Sequence, residues 1–538
     1  MKKALLIMLA IMMVASLGLV GCGSSEEPAE ETPAVEQSLT LNARTEPPSL
    51  DPALATDSTS FELLRVLFEG LVRLDDKSAV VEGSGMAKSW EVSEDQLTYT
   101  FTLKDDITWS NGDPVVAGDF EYAWKRVLNP ETAADYAYQL YYLKNGQAYN
   151  SGEGSADEVG VKALDAKTLE VVLEAPTPYF LQLTAFGSYY PVNQKVVEAN
   201  ANWSADAATY VSNGPFTLSS WQHDSEVVVT KNEAYWNKAA VKLKDITWVM
   251  VNEDNTAYQL FQSNEIHADV APQELTEELL ASGAAKSVPI LGTYMYLFNN
   301  EDPIFGNENI RKAFSYAIDR EALVTKVTKG GQLPATGFVP PGASSDLGVD
   351  FREYNGELIE DVAAAKGYLE AGLKELNLTE LPTVKLTYNT NEGHQKIAEA
   401  IQAMWTENLG VTVELNNLEW KVFLETLAAG DYQIGRLGWL GDYMDPMTFL
   451  DMFVTDGGNN DAKYSNTEYD NYIAQAKTTG DQEARLAAMS AAEKIFMEEA
   501  GIAPIYYYTS VRIQQDYVKG VVLHGDGAFD YTWTYIEK

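Results

Sequence analysis

Histidine and cysteine are rare in this chain, and the histidines lie far apart. The four histidines are His223, His267, His394 and His524, and this is not the spacing of a metal site. Cys22 is the only cysteine, so no pair of thiols can hold a metal or form a disulfide within the chain. The sequence therefore predicts no metal centre and no cofactor.

Motifs of nucleotide and acyl-transfer chemistry are absent as well. No Gly-Lys dipeptide occurs, which excludes the phosphate-binding loop of NTPases, and there is no Gly-x-Ser-x-Gly elbow of a hydrolase. The chain has 79 Asp and Glu residues, so a dispersed pair of acids, as in a glycosidase, stays open as an alternative. The sequence favours a binding protein, not an enzyme.

Aromatic residues supply most of the recognition chemistry that the chain does have. It contains 11 Trp, 30 Tyr and 18 Phe, several in polar or Gly-rich surroundings such as Trp420, Gly438-Trp439 and Tyr506–Tyr508. Most of these rings are expected to be ordinary core. The remainder suit a pocket that rigid rings shape while backbone groups make the hydrogen bonds.

The net charge of the chain indicates which kinds of ligand or macromolecule it can bind. It is −41 at pH 7, and a field of that sign repels nucleic acid and anionic lipid headgroups. No nucleic-acid partner is therefore expected. The charge favours cationic or zwitterionic ligands, although a generally acidic surface would give the same count.

The N-terminal sequence predicts that the protein is exported from the cytoplasm. Lys2 and Lys3 precede an apolar segment, Ala4–Val20, that has the length of a secretory signal. The segment ends in Leu19-Val20-Gly21-Cys22, which resembles the lipobox of bacterial lipoproteins. There the cysteine is lipidated and cleavage makes it the new N-terminus. An ordinary signal peptide with an incidental cysteine is the alternative.

Residues 1–21 are accordingly predicted to be a lipoprotein signal peptide, and Cys22 a lipid anchor on the bacterial cell membrane. The segment 22–37 is rich in Glu, Pro, Ser and Gly and has too little apolar surface to order itself. It is predicted to be a disordered tether. The folded part then begins near Ser38.

Hydrophobic periodicity predicts both strands and helices in the folded part. Apolar residues alternate with threonines over 97–103, as in a half-buried strand, and 169–173 and 226–230 are further candidate strands. Such a mixture over roughly 500 residues predicts an α/β protein of two or three domains. Helical spacing of apolar residues is found in 310–318, 362–373, 395–409 and 482–499.

Several motifs then give a specific resemblance. From Glu46 to the C-terminus the chain resembles the oligopeptide-binding lipoproteins of bacterial peptide importers, which are family 5 of the extracellular solute-binding proteins. The motifs follow in the order of that family: Glu46-Pro-Pro-Ser-Leu-Asp-Pro52, Leu67-Phe-Glu-Gly-Leu71, Trp109-Ser-Asn-Gly-Asp-Pro114, Ser212-Asn-Gly-Pro-Phe-Thr-Leu218, Asn232-Glu-Ala-Tyr-Trp236, Ile310-Arg-Lys-Ala-Phe314, Ala317-Ile-Asp-Arg320 and Gly438-Trp-Leu-Gly-Asp-Tyr-Met-Asp-Pro446.

This resemblance implies an α/β periplasmic-binding-protein-like fold, with two lobes that close on the ligand and an additional domain beside the first lobe. Crossings near Leu291 and Tyr508 would form the hinge. Closure would bury an extended peptide as an added strand. The implied ranges are 38–57, 190–291 and 509–538 for lobe I, 58–189 for the additional domain, and 292–508 for lobe II.

The resemblance also implies roles for individual residues. Asp442 would receive the α-ammonium group of the ligand, which needs an anionic partner once it leaves water. Gly438 and Leu440 would offer backbone groups to the ligand strand, and Trp439 would line a side-chain pocket. On the other flank of the ligand, Gly292 and Tyr294 resemble a second pairing strand.

Four further residues complete the implied site. Trp420 would line a pocket, Asn389 would be a polar pocket group, and His394 and Arg436 could meet the carboxylate of a ligand. Taken alone, His394 is equally well interpreted as a surface histidine.

The chain departs from its well-known relatives at three positions. Where they carry further basic residues, this chain has Thr328 and Leu427, which predicts weak binding of dipeptides and a preference for three or more residues. At Val116 a threonine is common, so the following helix lacks an N-cap hydroxyl, a loss of roughly 1 kcal/mol.

The implied function is capture of short peptides by a monomer and their delivery to a permease in the membrane. A sensor of peptide pheromones or cell-wall peptides on the same scaffold is the alternative. A receptor for a non-peptide solute, such as a metal chelate or a sugar, also stays open.

Overall fold

A computed structural model describes residues 35–344, 347–359 and 362–537. Cys22 and most of the predicted tether lie outside the described residues. From Gln37 onward, tertiary contacts join the chain into one unit. None of the helices in the described ranges has both the length and the apolar character that crossing a bilayer requires.

The strands follow the chain from the first described residues to the last. In chain order they are β1 (Ser38–Asn42), β2 (Arg73–Leu74), β3 (Val80–Val81), β4 (Ala87–Val92), β5 (Thr98–Leu103), β6 (Val161–Ala163), β7 (Thr168–Val172), β8 (Phe216–Gln222), β9 (Glu226–Lys231), β10 (Asp245–Val249), β11 (Ala268–Val270), β12 (Lys286–Phe298), β13 (Leu333–Pro334), β14 (Val384–Asn389), β15 (Val413–Leu418), β16 (Ile434–Leu440), β17 (Ile502–Gln514), β18 (Val518–Lys519), β19 (Val522–Leu523), β20 (Phe529–Asp530) and β21 (Tyr535–Ile536).

The α-helices are interspersed with these strands, as in an α/β protein. In chain order they are α1 (Ser58–Leu67), α2 (Ala117–Leu128), α3 (Gly146–Asn150), α4 (Phe180–Leu183), α5 (Gln194–Ala199), α6 (Asp254–Gln262), α7 (Thr276–Ser282), α8 (Glu308–Tyr316), α9 (Arg320–Ala322), α10 (Phe351–Asn355), α11 (Val362–Glu375), α12 (Glu392–Leu409), α13 (Trp420–Ala428), α14 (Met447–Leu450), α15 (Thr467–Thr478) and α16 (Gln482–Glu498).

The periodicities of the sequence correspond to these elements. The alternating segment 97–103 forms β5, and it buries Tyr99, Phe101 and Leu103 on one face. The apolar stripe that begins at Ile310 lies on α8, whose side-chain N-cap is Asn307. The other predicted strands and helices are confirmed to within a few residues.

One large sheet runs through both lobes. Its strand order is β15-β14-β16-β12-β17-β11-β1-β10-β9-β8, with β13 beside β17. The long antiparallel strands β12 and β17 belong to both halves. Their pairing is interrupted between Pro289 opposite Thr509 and Thr293 opposite Tyr507, so the register changes around Leu291 and Tyr508.

A hydrophobic core lies under β12, β14 and β16, within the range predicted for lobe II. Tyr294, Tyr296 and Phe298 of β12 pack with Ile397 and Trp405 of α12. The helix α12 connects the parallel strands β14 and β15, which is the usual crossover in an α/β sheet. This packing fixes the positions of β14 and β16, which carry half of the predicted ligand-binding residues.

A second, four-stranded sheet, β4-β5-β7-β6, lies in the range predicted for the additional domain and packs against α2. As expected, Val116 makes no side-chain cap at the start of α2. The Asp119 carboxylate instead accepts a hydrogen bond from the Val116 N–H at 3.0 Å, and another from the Trp109 indole. The helix end is therefore capped from its first turn.

Candidate functional site

Strand β16 has an edge that is only partly paired. On one side, Ile434–Leu440 pair with β12 along the whole strand. On the other side, β14 pairs only at Leu386 opposite Ile434 and Thr387 opposite Gly435. In the described part of the chain, Arg436–Leu440 therefore pair on one side alone, which leaves backbone donors and acceptors open to an added strand.

Asp442 lies just beyond the end of this edge. Its N–H donates to the Thr448 hydroxyl at 2.9 Å, which folds the loop back onto α14. The loop is held from below by Asp445, which forms two hydrogen bonds of 2.8 and 2.7 Å with the buried Arg485 guanidinium. The carboxylate of Asp442 is thus carried by a fixed loop.

The Asp442 carboxylate meets the additional domain, not a basic residue. Gln139 Nε2 donates to Oδ2 at 2.8 Å, and the Tyr136 hydroxyl approaches Oδ1 at 3.4 Å. Burial raises the pKa of the Asp442 carboxyl well above its usual range, and the nearby charge of Asp526 raises it further. Asp442 forms no ion pair with any described residue, so its charged form needs a cation from elsewhere.

Arg436 lies at the other end of the same edge and lacks an anion. The guanidinium donates to the Tyr508 hydroxyl at 2.8 Å and to the Asn389 amide oxygen at 3.4 Å, and it stacks over the Tyr294 ring. The residue is buried, and its Nε has no hydrogen-bond partner among the described residues. No described carboxylate pairs with it, which suits a site for an incoming carboxylate.

His394 joins the Arg436 cluster. Its Nδ1 lies 3.4 Å from the Tyr294 hydroxyl. Burial, and then the positive charge of Arg436, lower the pKa of His394 well below its usual value. The ring is therefore neutral at pH 7 and offers hydrogen bonds, not charge.

A glycine is required where Tyr508 crosses β16. A Cβ at Gly438 would meet the Tyr508 hydroxyl in severe overlap. The absence of a side chain lets the tyrosine ring lie against the strand and reach Arg436, which is a common reason for glycine inside a strand.

The predicted position of Gly292 and Tyr294 is wrong. They were expected on a second strand across the ligand from Gly438 and Leu440, but β12 pairs with β16 directly, Gly292 opposite Leu440 and Tyr294 opposite Gly438. No ligand strand fits between paired neighbours. The open side of β16 faces β14, which carries Asn389.

The remaining predicted residues surround the strand edge. Trp439 is buried and donates its indole N–H to the Thr448 carbonyl at 2.7 Å. Its ring stacks on that of Tyr136, with the two ring centroids 6.0 Å apart. Leu440 is one of the exposed large apolar side chains, and Trp420 stacks on Phe423 of its own helix. Trp439 therefore packs between the lobe and the additional domain.

Thr328 and Leu427 are buried and uncharged. The Thr328 hydroxyl lies 3.0 Å from the Gln332 amide oxygen, and the Leu427 side chain lies beneath Gly435. Neither adds a positive charge near Arg436.

Three residues at this site were not predicted from the sequence. Tyr136 and Gln139 lie about 300 positions before Asp442, in a Tyr-rich segment without a motif, and Asp526 lies in the turn between β19 and β20. The only signal for Tyr136 and Gln139 is the density of tyrosines in 136–142, which also suits core. Among the described residues, no group of three or more His, Cys, Asp or Glu side chains could hold a metal ion.

The additional domain and lobe II are in close contact around Asp442. The rings of Tyr179 and Tyr443 stack with centroids 4.7 Å apart and an interplanar angle of 8°. The Met444 N–H donates to Gln182 Oε1 at 3.2 Å. The cleft is closed at this end.

The solved structure of a similar, peptide-bound protein matches this closed arrangement better than that of an open, unliganded one. Against Listeria monocytogenes OppA bound to peptide, the TM-score is 0.89 at 35% identity, covering 94% of this chain and 100% of the other. Against the unliganded open form of the murein tripeptide-binding protein MppA, the TM-score falls to 0.61, although identity is 34% over 94% and 98% of the two chains. The lobes are therefore arranged as in the peptide-bound relative.

Comparison of the amino-acid sequence with known proteins finds relatives of the same kind as the structural comparison. The chain is 44% identical to the oligopeptide-binding protein OppA of Bacillus subtilis, over 97% of this chain and 96% of the relative. It is also 44% identical to the dipeptide-binding protein DppE of the same organism, over 96% of each. The family described as "Bacterial extracellular solute-binding proteins, family 5 Middle" matches residues 83–461, more than half of the sequence. The chain belongs to family 5 of the bacterial extracellular solute-binding proteins.

Proposed function

We propose that this protein captures short peptides between its lobes and delivers them to the permease of an ABC importer. The observation that carries this proposal is the open edge of β16, with the unpaired carboxylate of Asp442 beyond one end and the unpaired guanidinium of Arg436 at the other. An extended peptide is complementary to such an edge, because it has backbone bonding groups along its length and opposite charges at its termini.

The charges give the bound peptide a direction. Its ammonium group lies at Asp442 and its chain runs towards Arg436, antiparallel to β16. Asn389 and His394 flank the carboxylate end, and Trp439, Leu440 and Trp420 border the side chains.

The distance between the charges of Asp442 and Arg436 supports a preference for peptides longer than two residues. Asp442 follows Arg436 by six residues, on the order of 20 Å in an extended chain. A dipeptide spans only about 7 Å, and each further residue brings the carboxylate of the ligand about 3.4 Å closer to Arg436. Thr328 and Leu427 offer no substitute charge, so peptides of three or more residues are the proposed ligands.

Mass spectrometry of co-purified ligands and calorimetry with a length series test the function together. We expect tripeptides to pentapeptides to bind at least tenfold more tightly than dipeptides, because a buried carboxylate without a partner costs several kcal/mol. Equal or tighter binding of dipeptides would refute the length preference. Failure of every peptide to bind would refute the function.

The hinge is proposed at Leu291 and Tyr508, where the register of β12 and β17 changes. The limits proposed for lobe I (38–57, 190–291, 509–538), the additional domain (58–189) and lobe II (292–508) follow from that hinge. Opening would then separate Asp442, in lobe II, from Gln139 and Asp526.

The mature protein is proposed to be held outside the membrane by a lipid on Cys22. Two or three acyl chains would anchor it stably, as a single chain would not. Cys22→Ala should release the protein into the medium or leave an unprocessed precursor. A processed variant that stays on the membrane would refute lipidation.

A further inference from the structure

Two ion pairs in the range proposed for lobe II lie where the additional domain meets it. Lys477 Nζ of α15 lies 2.5 Å from Asp451 Oδ1, and Arg485 of α16 forms the two hydrogen bonds to Asp445 described above. The carboxylates are almost wholly buried, with Asp451 2% and Asp445 3% exposed. Each cation therefore has its charge compensated within lobe II itself.

Each of these two cations is covered by a tyrosine ring from the range proposed for the additional domain. Lys477 Nζ lies 5.4 Å from the ring centroid of Tyr142, and the guanidinium carbon of Arg485 lies 5.1 Å from that of Tyr179. Within about 6 Å the face of an aromatic ring attracts a cation. The same arrangement of carboxylate, cation and ring thus occurs twice in this interface.

The two rings are joined to each other as well as to lobe II. The Tyr179 hydroxyl donates to the Tyr142 hydroxyl at 3.0 Å, and the two rings meet edge to face with centroids 5.5 Å apart. Tyr179 also stacks on Tyr443, and the Tyr142 hydroxyl approaches Asp451 Oδ2 at 3.5 Å. Both tyrosines are buried, so the rings form one unit inside the interface.

These contacts connect parts of the molecule that the proposed hinge would move apart. The rings lie on one side of the interface and the cations on the other, so opening of the cleft would separate them. Every partner is a group of the protein, so the stabilisation does not depend on which peptide is bound. It opposes opening, which must precede release of an enclosed ligand.

Resting on the proposed peptide-binding function and hinge, we propose that Tyr142 and Tyr179 form a clasp that holds the cleft closed through cation–π contacts with Lys477 and Arg485. The additional domain then controls how long a peptide stays bound, independently of the sequence of that peptide. The charged ends of the β16 edge select the ligand, whereas the clasp controls its rate of release.

Stopped-flow measurement of peptide dissociation tests the clasp. Tyr142→Leu and Tyr179→Leu each remove a ring and keep an apolar side chain, whereas Tyr179→Phe keeps the ring and removes only the hydroxyl. We expect each leucine variant to speed release about tenfold, the usual effect of losing a desolvated cation–π contact and its ring packing. The factor should be the same for a tripeptide and a pentapeptide. Tyr179→Phe should stay within about threefold of wild type.

Tyr99→Leu is the matched control. Tyr99 is 7% exposed, like the clasp residues, but its ring packs on Phe101 and Phe180 within the range of the additional domain. This variant should lower the unfolding temperature without changing the release rate. The proposal is overturned if release is unchanged in both folded leucine variants, or if Tyr179→Phe releases peptide as fast as Tyr179→Leu.

A second arm reaches the same contact from lobe II. Lys477→Met removes the cation that faces Tyr142 and should also speed release, so it replaces Tyr142→Leu if thermal unfolding shows that variant to be unfolded. Combined, the two changes should speed release by less than the product of their separate factors, because they remove one contact. Independent effects would mean that ring and cation do not interact, which would overturn the clasp. If wild type binds no peptide, the proposed function fails and the clasp fails with it as a device for peptide release.

Discussion

Asp442 and Arg436 are charged groups that the protein itself leaves without counter-ions. Asp442 faces a second carboxylate, Asp526, and Arg436 is surrounded by tyrosines and an amide. Burying such charges opposes closure of the empty cleft, because neither is compensated. A zwitterionic ligand compensates both at once, so its binding and closure favour each other.

This electrostatic arrangement predicts a pH dependence of binding. Burial raises the pKa of Asp442 in the closed, empty site, whereas a bound ammonium group favours its ionised form. Binding therefore releases a proton from molecules in which Asp442 is protonated, and affinity should fall as the pH falls through the pKa that Asp442 has in the free protein, by up to about tenfold per pH unit. Calorimetry over a pH series, in buffers of different ionisation heat, measures both effects.

The control for this dependence is Asp442→Asn, which should abolish the proton release. His394 does not compete in the same range, because its pKa is lowered and its ring stays neutral. A proton release that persists in Asp442→Asn would assign the titration to another group.

Among individual residues, the sequence predicted the lobe II part of the candidate site but not the part that the additional domain contributes. Asp442, Arg436, His394 and Asn389 were predicted from the resemblance, and the structure brings the last three together. Gln139 was not predicted, because its place beside Asp442 depends on packing between segments about 300 residues apart. No local pattern encodes that.

Strand β16 pairs with β12 on one edge, and in the proposed function its other edge binds the ligand. Its glycines make this possible, since Gly438 admits the Tyr508 ring and Gly435 admits the Leu427 side chain. The element is therefore shaped from both sides before any ligand arrives.

Gly438→Ala should displace Tyr508 and, with it, the hydroxyl that positions Arg436. Overpacking of this kind typically costs about 1–3 kcal/mol of unfolding free energy, and we expect peptide affinity to fall about tenfold. Thermal unfolding and calorimetry measure the two effects. Gly480→Ala is the control, because a Cβ there meets nothing within 4 Å; equal behaviour of the two variants would contradict the assigned role of Gly438.

The hydrophobic period within a strand or helix could be predicted from the sequence, but the pairing register between strands could not. The two-residue period of 97–103 and the apolar stripe from Ile310 identified β5 and α8, because burial of one face imposes those spacings. The pairing of Gly292 with Leu440 was missed, since register between distant strands is set by the tertiary fold.

The lobes are arranged as in a peptide-bound relative and not as in the open form of another. Length and composition predicted only two or three α/β domains, and the two lobes with an additional domain came from the resemblance. Composition could not show that the additional domain closes over Asp442, through Gln139 and through the stacked Tyr179 and Tyr443.

The central claim is that Asp442 binds the ammonium group of a peptide added to β16. Calorimetry of free and N-acetylated forms of one peptide, with wild type and Asp442→Ala, tests it most directly. Removing one partner of a buried charge pair costs roughly 2–5 kcal/mol, about thirty- to several-thousand-fold in Kd. Acetylation should impose such a loss on wild type and little further loss on the variant, which gives a clear coupling energy. If free and acetylated peptides bind wild type equally well, the ammonium group is not recognised and the account is wrong.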